Sequence, residues 1–421
     1  MTELSQIKGV GARQAWLWRN RSVFSKPASG EVPRMLVDVS AIYRQDAQTG
    51  IQRVVRAVWA ELRRRSGSGF EAVPVVATRN AGYCYVAPDF LGAQRNAAAS
   101  EVARAGPKDV FLALDLTAHL LPKYAPQVRA WRRNGATVHV VVYDLLPLTH
   151  PEWFTSATVR NFRRWFRFLV AEADQAVCIS ETVRKGLGQI LPLRAPRAPL
   201  ELARMELAGD IAASVPSAGI DAESAAAVER MRFRPSVLMV ATVEPRKGYD
   251  VALRAFEHLW RTCPAAAPDL VIVGKPGWKT AALQERIRGH AEHGRRLYWM
   301  TQVSDEALCK LYEHCGGVFV PSHDEGFGLP LVEAAIARRP VLARDLPVFR
   351  EQRLPNVLFF DNDDEPQAIG ERLMDLTKLT PATLSPASLP TWKNCVDGLL
   401  QEIGIEQSSS KRAKTALRKA S

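Results

Sequence analysis

From residue 34 onward, short apolar runs alternate with longer stretches in which apolar residues return every three or four positions. RMLVDVSAI, from Arg34, reads as a buried strand. Residues 49–65, TGIQRVVRAVWAELRRR, read as a helix, because Ile51, Val54, Val55, Val58 and Leu62 recur at helical spacing. Further apolar runs stand at 71–77 (EAVPVVA), 109–115 (DVFLALD), 137–145 (TVHVVVYDL) and 175–180 (QAVCIS). Strands alternating with helices predict a parallel sheet covered on both faces. Residues 191–234 interrupt the alternation with LPLRAPRAP and AASVPSAG, rich in Pro, Ala and Ser, and mark a domain boundary. A second series then starts at Pro235: strands SVLMVATV, DLVIVG, RLYWM, GGVFVPS and PVLAR, with GYDVALRAFEHLW, LQERIRGHAEHG, SDEALCKLYEHC and PLVEAAIAR as helices between them.

The pattern therefore predicts an α/β chain of two doubly wound domains. The expected segments are an N-terminal appendage at 1–33, a first domain at 34–200, a linker at 201–234, a second domain at 235–390, a helix at 391–405 (TWKNCVDGLLQEI begins it) and a basic tail at 406–421. From Ser408 on, SSSKRAKTALRKAS holds five basic residues and no acid, a composition that predicts disorder. Two such domains leave a cleft between them, and ligands bind where parallel strands end.

The length of 421 residues agrees with two domains. No apolar run approaches the roughly 20 residues of a membrane span, and the first 21 residues have no secretory apolar core. The six cysteines are scattered, with no CxxC pair. A cytoplasmic protein with reduced thiols is the expectation. The net charge of +12 points to anionic partners without choosing among them.

The densest chemistry lies at 318–343, VFVPSHDEGFGLPLVEAAIARRPVLA. A strand runs into a glycine-bearing turn, and Pro330 suits the first turn of the helix that follows. Gly326, Phe327, Gly328 and Leu329 then offer backbone N–H groups at a helix N-terminus, a place for an anion. Glu325 in the turn and Glu333 in the helix are eight positions apart, and carboxylates accept strongly from sugar and ribose hydroxyls. A second cluster, ATVEPRKGYD at 241–250, ends a strand with Arg246 and Lys247, two cations suited to a diphosphate.

The order of the PRKG loop, the GKPGW loop at 274–278 and EGFGLPLVEA resembles the retaining GT-B glycosyltransferases of the broad family 4, above all bacterial mannosyl- and rhamnosyltransferases of cell-surface polysaccharide assembly. VDVSAIYRQDAQTGIQRVV, VVYDLLPLTHPEWF and CISETVRKGL fall in that family's order in the first half. The resemblance covers roughly residues 34–405. It implies a GT-B fold of two Rossmann-like domains and a metal-independent hexosyltransferase acting with retention. It places Glu325 by the donor sugar, Glu333 on the ribose, the amides of 326–329 and Lys247 on the diphosphate, and Gly50 where backbone nears the phosphates across the cleft. Two positions depart from the pattern. Thr242 stands where many members have Arg, leaving Arg246 to supply the second cation. Tyr143 stands where many have His, before Asp144, a candidate contact to donor sugar or acceptor.

The implied donor is GDP-mannose, with GDP-rhamnose or a UDP-hexose as alternatives, and the implied acceptor is a growing polysaccharide or lipid-linked oligosaccharide. No cofactor or metal is expected. Asp361, Asn362, Asp363 and Asp364 read as a solvated turn rather than a metal-binding DxD. Residues 151–170 interleave six aromatic residues with Arg160, Arg163, Arg164 and Arg167. They fit either a helix with a solvated basic face or docking at the inner face of the cytoplasmic membrane. Two other classes compete with this reading, a non-catalytic GT-B scaffold and a nucleic-acid-binding protein. The second lacks a helix-turn-helix, zinc or RNP signature, so no nucleic-acid partner is expected.

Overall fold

The computed structural model describes residues 32–92, 98–191, 199–379 and 389–405. The expectations for residues 1–31 and for the tail lie outside the described residues. The chain forms two lobes, each built on one twisted sheet. The first sheet holds β1 (Arg34–Asp38), β2 (Glu71–Thr78), β3 (Gly82–Tyr85), β4 (Val110–Ala113), β5 (Thr137–Val142), β6 (Gln175–Cys178) and β7 (Glu201–Arg204) in the order β3-β2-β1-β4-β5-β6-β7. The second holds β8 (Ser236–Val240), β9 (Asp269–Val273), β10 (Leu297–Met300), β11 (Gly317–Val320), β12 (Val341–Arg344) and β13 (Val357–Phe360) in the order β10-β9-β8-β11-β12-β13.

The strands form where the apolar runs are, because most are covered on both faces: every residue of β4, β6, β9 and β11 is buried. The Gly50–Arg65 helix forms because Thr49 and Gln52 make a reciprocal capping box, and its Val54, Val55, Val58 and Leu62 are buried against the first sheet. In each sheet the chain crosses from one half to the other beside its first strand. β1 neighbours β4, with Met35 opposite Val110, and β8 neighbours β11, with Leu238 opposite Val318. Loops leaving such neighbours diverge and open a crevice at the strands' carboxyl ends.

Four expectations change. β3 pairs antiparallel with β2, so the first sheet is parallel except at this edge. The first strand stops at Asp38, not Ile42. The buried Asp38 carboxylate accepts from Ser40 N at 2.9 Å, Tyr83 Oη at 2.8 Å and Thr117 Oγ1 at 3.0 Å, which turns the chain into the short Ser40–Arg44 helix. The stretch 201–234 is more than a linker. It supplies β7 to the first sheet and the Ala222–Phe233 helix, which packs on the Asp305–His314 helix of the second lobe. The helix expected over 283–294 runs from Ala281 to Arg288 and ends before Gly289. The Trp392–Glu402 helix crosses back to the first lobe and packs on Gly50–Arg65, with Arg65 and Asp397 2.7 Å apart. Among the described residues, no helix is long and apolar enough to cross a membrane.

Candidate active site

The carboxyl ends of both sheets face one cleft of about 380 Å³. All the candidate residues named from the sequence line it: Gly50 and Asp144 from the first lobe, and Arg246, Lys247, Glu325, Gly326, Phe327, Gly328, Leu329 and Glu333 from the second. The meeting of Lys247 and Glu325 follows from topology. One lies on the loop after β8 and the other on the loop after β11, and these two strands are neighbours.

The turn at 325–328 needs its glycines. Gly328 caps the Leu329–Ile336 helix with φ +92°, left-handed backbone that side chains rarely adopt. At Gly326 a Cβ would lie 2.0 Å from the Tyr143 carbonyl oxygen, so only glycine lets this turn meet the first lobe. The N–H groups of Gly326, Phe327, Gly328 and Leu329 find no acceptor among the described residues. They are four free donors at the positive end of a helix.

Glu325 is held from three sides. Arg246 Nη1 donates to Oε2 at 2.6 Å, Lys247 Nζ pairs with Oε1, and Ser322 Oγ donates to Oε1 at 2.9 Å. Arg246 also lies 2.8 Å from Glu244. Burial alone would raise the Glu325 carboxyl, but Arg246 and Lys247 outweigh it and hold it at about 2. Lys247 is pushed below its ordinary value by burial and by the neighbouring Arg246, against the pull of Glu325 and Glu244. Two cations thus share the Glu325 carboxylate, and Lys247 is the less satisfied of them. Asp144 accepts from Leu146 N at 3.1 Å, and burial raises its carboxyl against the pull of Arg246. The neighbouring Tyr143 turns its hydroxyl away to the Leu114 carbonyl at 2.8 Å.

Glu333 is only 3 % exposed. One oxygen pairs with Arg53 Nη1, and the other accepts from Tyr312 Oη at 2.6 Å. Arg53 also reaches Asp305 at 2.9 Å, and Arg56 reaches Asp305 at 3.1 Å and Asp46 at 2.8 Å. This buried ladder joins the first-lobe helix to the second lobe. Sequence reasoning treated 49–65 as an apolar-faced helix and missed it. The available signal was a pair of arginines three apart among residues destined for burial.

Other contacts seat the lobes against each other. Glu351 accepts from Glu181 N, Thr182 N and Thr182 Oγ1 at 2.9, 2.8 and 2.6 Å, capping the Glu181–Ile190 helix across the boundary. Trp278 Nε1 donates to the Trp153 carbonyl at 2.9 Å, and its ring lies over Phe154 at 6.0 Å. Trp153 and Phe154, read from the sequence as part of one basic aromatic stretch, therefore sit at the cleft's lip. His150, read as an ordinary packing or surface residue, stacks on Trp153 at 4.1 Å. Among the described residues, no group of three His, Cys, Asp or Glu side chains could hold a metal ion.

Residues 227–385 match the family model described as Glycosyl transferases group 1. The serotype-specific mannosyltransferase WbdA of Escherichia coli is 36% identical over 90% of this chain and 47% of its own length. The O-antigen chain mannosyltransferase B of Escherichia coli is 24% identical over 60% of this chain and 66% of its own. The chain spans about half the length of the WbdA relatives it matches. Among solved structures, Anabaena HepE in complex with UDP and glucose superposes with a TM-score of 0.56 at 16% identity, covering 91% of this chain and 100% of that one. Residues 227–385, which carry the second sheet, are thus a glycosyltransferase group 1 domain, and the two facing sheets together are those of the GT-B fold.

Proposed function

We propose that the chain is a retaining hexosyltransferase that moves mannose from GDP-mannose to a hydroxyl of a growing cell-surface polysaccharide or lipid-linked oligosaccharide. The observation that carries the reading is the convergence in one cleft of two cations, four free amides and two carboxylates. Similarity to proteins named as mannosyltransferases supports the sugar. The solved complex of HepE with UDP and glucose supports a nucleotide-sugar donor.

In this reading Glu333 accepts from the ribose and Glu325 from the hexose hydroxyls. The diphosphate lies between Lys247, Arg246 and the 326–329 amides, with Gly50 letting first-lobe backbone approach. The bond from the anomeric carbon to the diphosphate oxygen breaks, and its electron pair leaves with the diphosphate. Donors already in place meet that growing charge, so the barrier falls without reorganisation. The acceptor hydroxyl attacks the face being vacated, and its proton passes to the departing diphosphate. Asp144 lies where donor and acceptor sugars meet. We expect the two cations and the amides to carry the diphosphate charge without a metal, so that EDTA leaves turnover unchanged.

The docking surface for a lipid-linked acceptor is the Ser156–Glu172 helix. Phe162, Trp165, Phe166, Phe168 and Leu169 are buried, while Arg160, Arg163, Arg164 and Arg167 are exposed on one helical face. Four cations at positions i, i+3, i+4 and i+7 suit the anionic cytoplasmic leaflet.

A thermal-shift screen across GDP-, UDP- and dTDP-sugars, followed by transfer of labelled mannose, tests the reading. A ligand at 100 times its dissociation constant adds about 2.7 kcal/mol of stability. Stabilisation by GDP-mannose with label transfer supports the reading, and no response to any nucleotide sugar overturns it.

A further inference from the structure

We propose that Arg53 is the first lobe's contact to the nucleoside. Its Nε–H donates to the oxygen of the ribose hydroxyl that itself donates to Glu333. The inference rests on the reading of the cleft as a nucleotide-sugar site.

Arg53 lies in the first turn of the Gly50–Arg65 helix and lines the cleft beside Glu333. It is only 6 % exposed, and its terminal nitrogens are taken by Glu333 and Asp305. Its Nε, also buried, has no hydrogen-bond partner. A buried donor of a charged group without an acceptor is unusual and calls for one. A ribose hydroxyl at Glu333 supplies it, because a hydroxyl gives one proton and accepts others. It would donate to the carboxylate and accept from Nε–H, satisfying both residues with one ligand group.

The geometry around Arg53 suits binding as well as cohesion. Asp305 Oδ2 accepts from Arg56, and from Ser217 N at 3.0 Å, while its Oδ1 receives Arg53, so the guanidinium plane is fixed. Tyr312 fixes Glu333 from the other side. Acceptor and donor are thus set before the nucleoside arrives, one from each lobe. A nucleoside held this way binds only where the lobes meet, and the helix that carries Arg53 also brings Gly50 to the turn. A Cβ at Gly50 would lie 3.2 Å from Leu329.

The test is calorimetric titration of wild type, Arg53→Lys and Arg53→Met with GDP, UDP and their 2′,3′-dideoxy analogues. Lysine keeps a cation but has no Nε–H fork. The wild type should prefer the ribonucleotide by about 100-fold, the upper end of the about 1–3 kcal/mol that a buried polar group costs when the analogue leaves it unpaired. One charged hydrogen bond is worth about 10- to 100-fold, so the preference should shrink to about 10-fold or less in Arg53→Lys, and likewise in Arg53→Met where its melt shows it folded. A variant that keeps the full preference overturns the role of Arg53 and leaves the reading of the cleft standing. A wild type that binds neither GDP nor UDP overturns both. A structure of the wild type with bound GDP needs no variant. Nε within about 3.2 Å of a ribose oxygen supports the proposal, and Nε turned away from the ribose overturns it.

Discussion

Replacing Glu325 by Gln tests the electrostatics of the cleft more sharply than deleting a cation. The amide keeps the shape and removes the charge that Arg246 and Lys247 share. Breaking a buried pair by removing one partner costs about 3–5 kcal/mol. The pKa gives an independent figure. Glu325 is held at about 2 against an ordinary 4.5, a gap worth about 3 kcal/mol at 1.36 kcal/mol per unit. A carboxyl lowered on folding stabilises fully above its unfolded value and loses that contribution as pH falls through its folded value. The wild-type advantage should therefore be complete above about pH 5 and fade toward pH 2. Since a 150–250-residue unit shifts by about 2–4 °C per kcal/mol, Glu325→Gln should melt about 6–12 °C lower at pH 7. Binding of free GDP should move the other way. A carboxylate about 8 Å from a phosphate charge costs about 2 kcal/mol at an effective dielectric of about 20, so GDP should bind at least about tenfold more tightly. Turnover should fall, because the sugar hydroxyls lose a charged acceptor and keep only a neutral one. The assays are thermal melts at pH 4 and 7 and calorimetry with GDP. A variant that melts with the wild type at pH 7, or binds GDP more weakly, would refute the idea that Glu325 holds the two cations for the diphosphate.

Lys247→Ala should lower turnover about 100- to 1,000-fold, the cost of losing one preorganised donor, and a drop below about tenfold in a transfer assay would remove Lys247 from the site. Gly326→Ala places a Cβ against the Tyr143 carbonyl and must part the lobes. A misplacement of about 1 Å costs about 100-fold, so kcat/KM should fall by that order while X-ray scattering shows a wider particle, and unchanged activity would contradict the close approach. Burial, and then the nearby Asp38, push the Asp115 carboxyl up to about 7. An acid raised on folding keeps its proton longer in the native state, so stability falls as pH rises from about 4 to about 7. Asp115→Asn should flatten that fall in melts taken at pH 5 and 8, and an unaltered slope would count against it. Charge reversal at Arg163, Arg164 and Arg167 should abolish co-sedimentation with anionic vesicles while leaving neutral ones unaffected, and equal binding by the wild type to both would remove the membrane role.

Much of this was legible because the residues that make the sheets are apolar on both faces. DLVIV and GVFV are buried throughout, and runs of that kind have few other uses. The turn at 325–328 was legible because glycine, proline and acids each have a local physical meaning there. The edge strands β3 and β7 were not. GYCY is only four residues long and opens on a glycine, and ELAR carries exposed Glu201 and Arg204, so neither has the uniform apolar run of an inner strand. The Arg53–Glu333 pair was hidden for a different reason. Its partners are 280 positions apart, and nothing local at either end says that the two lobes meet there. The placement of Trp153 and Phe154 against Trp278 belongs to the same class of long-range contact.

The central claim is that Lys247, Arg246, Glu325 and the turn amides form one diphosphate site between the lobes. Calorimetric titration of GDP-mannose into the wild type and Lys247→Ala tests it most directly. The account predicts saturable one-to-one binding by the wild type and a large loss of affinity in the variant. Equal binding by the two proteins would contradict it.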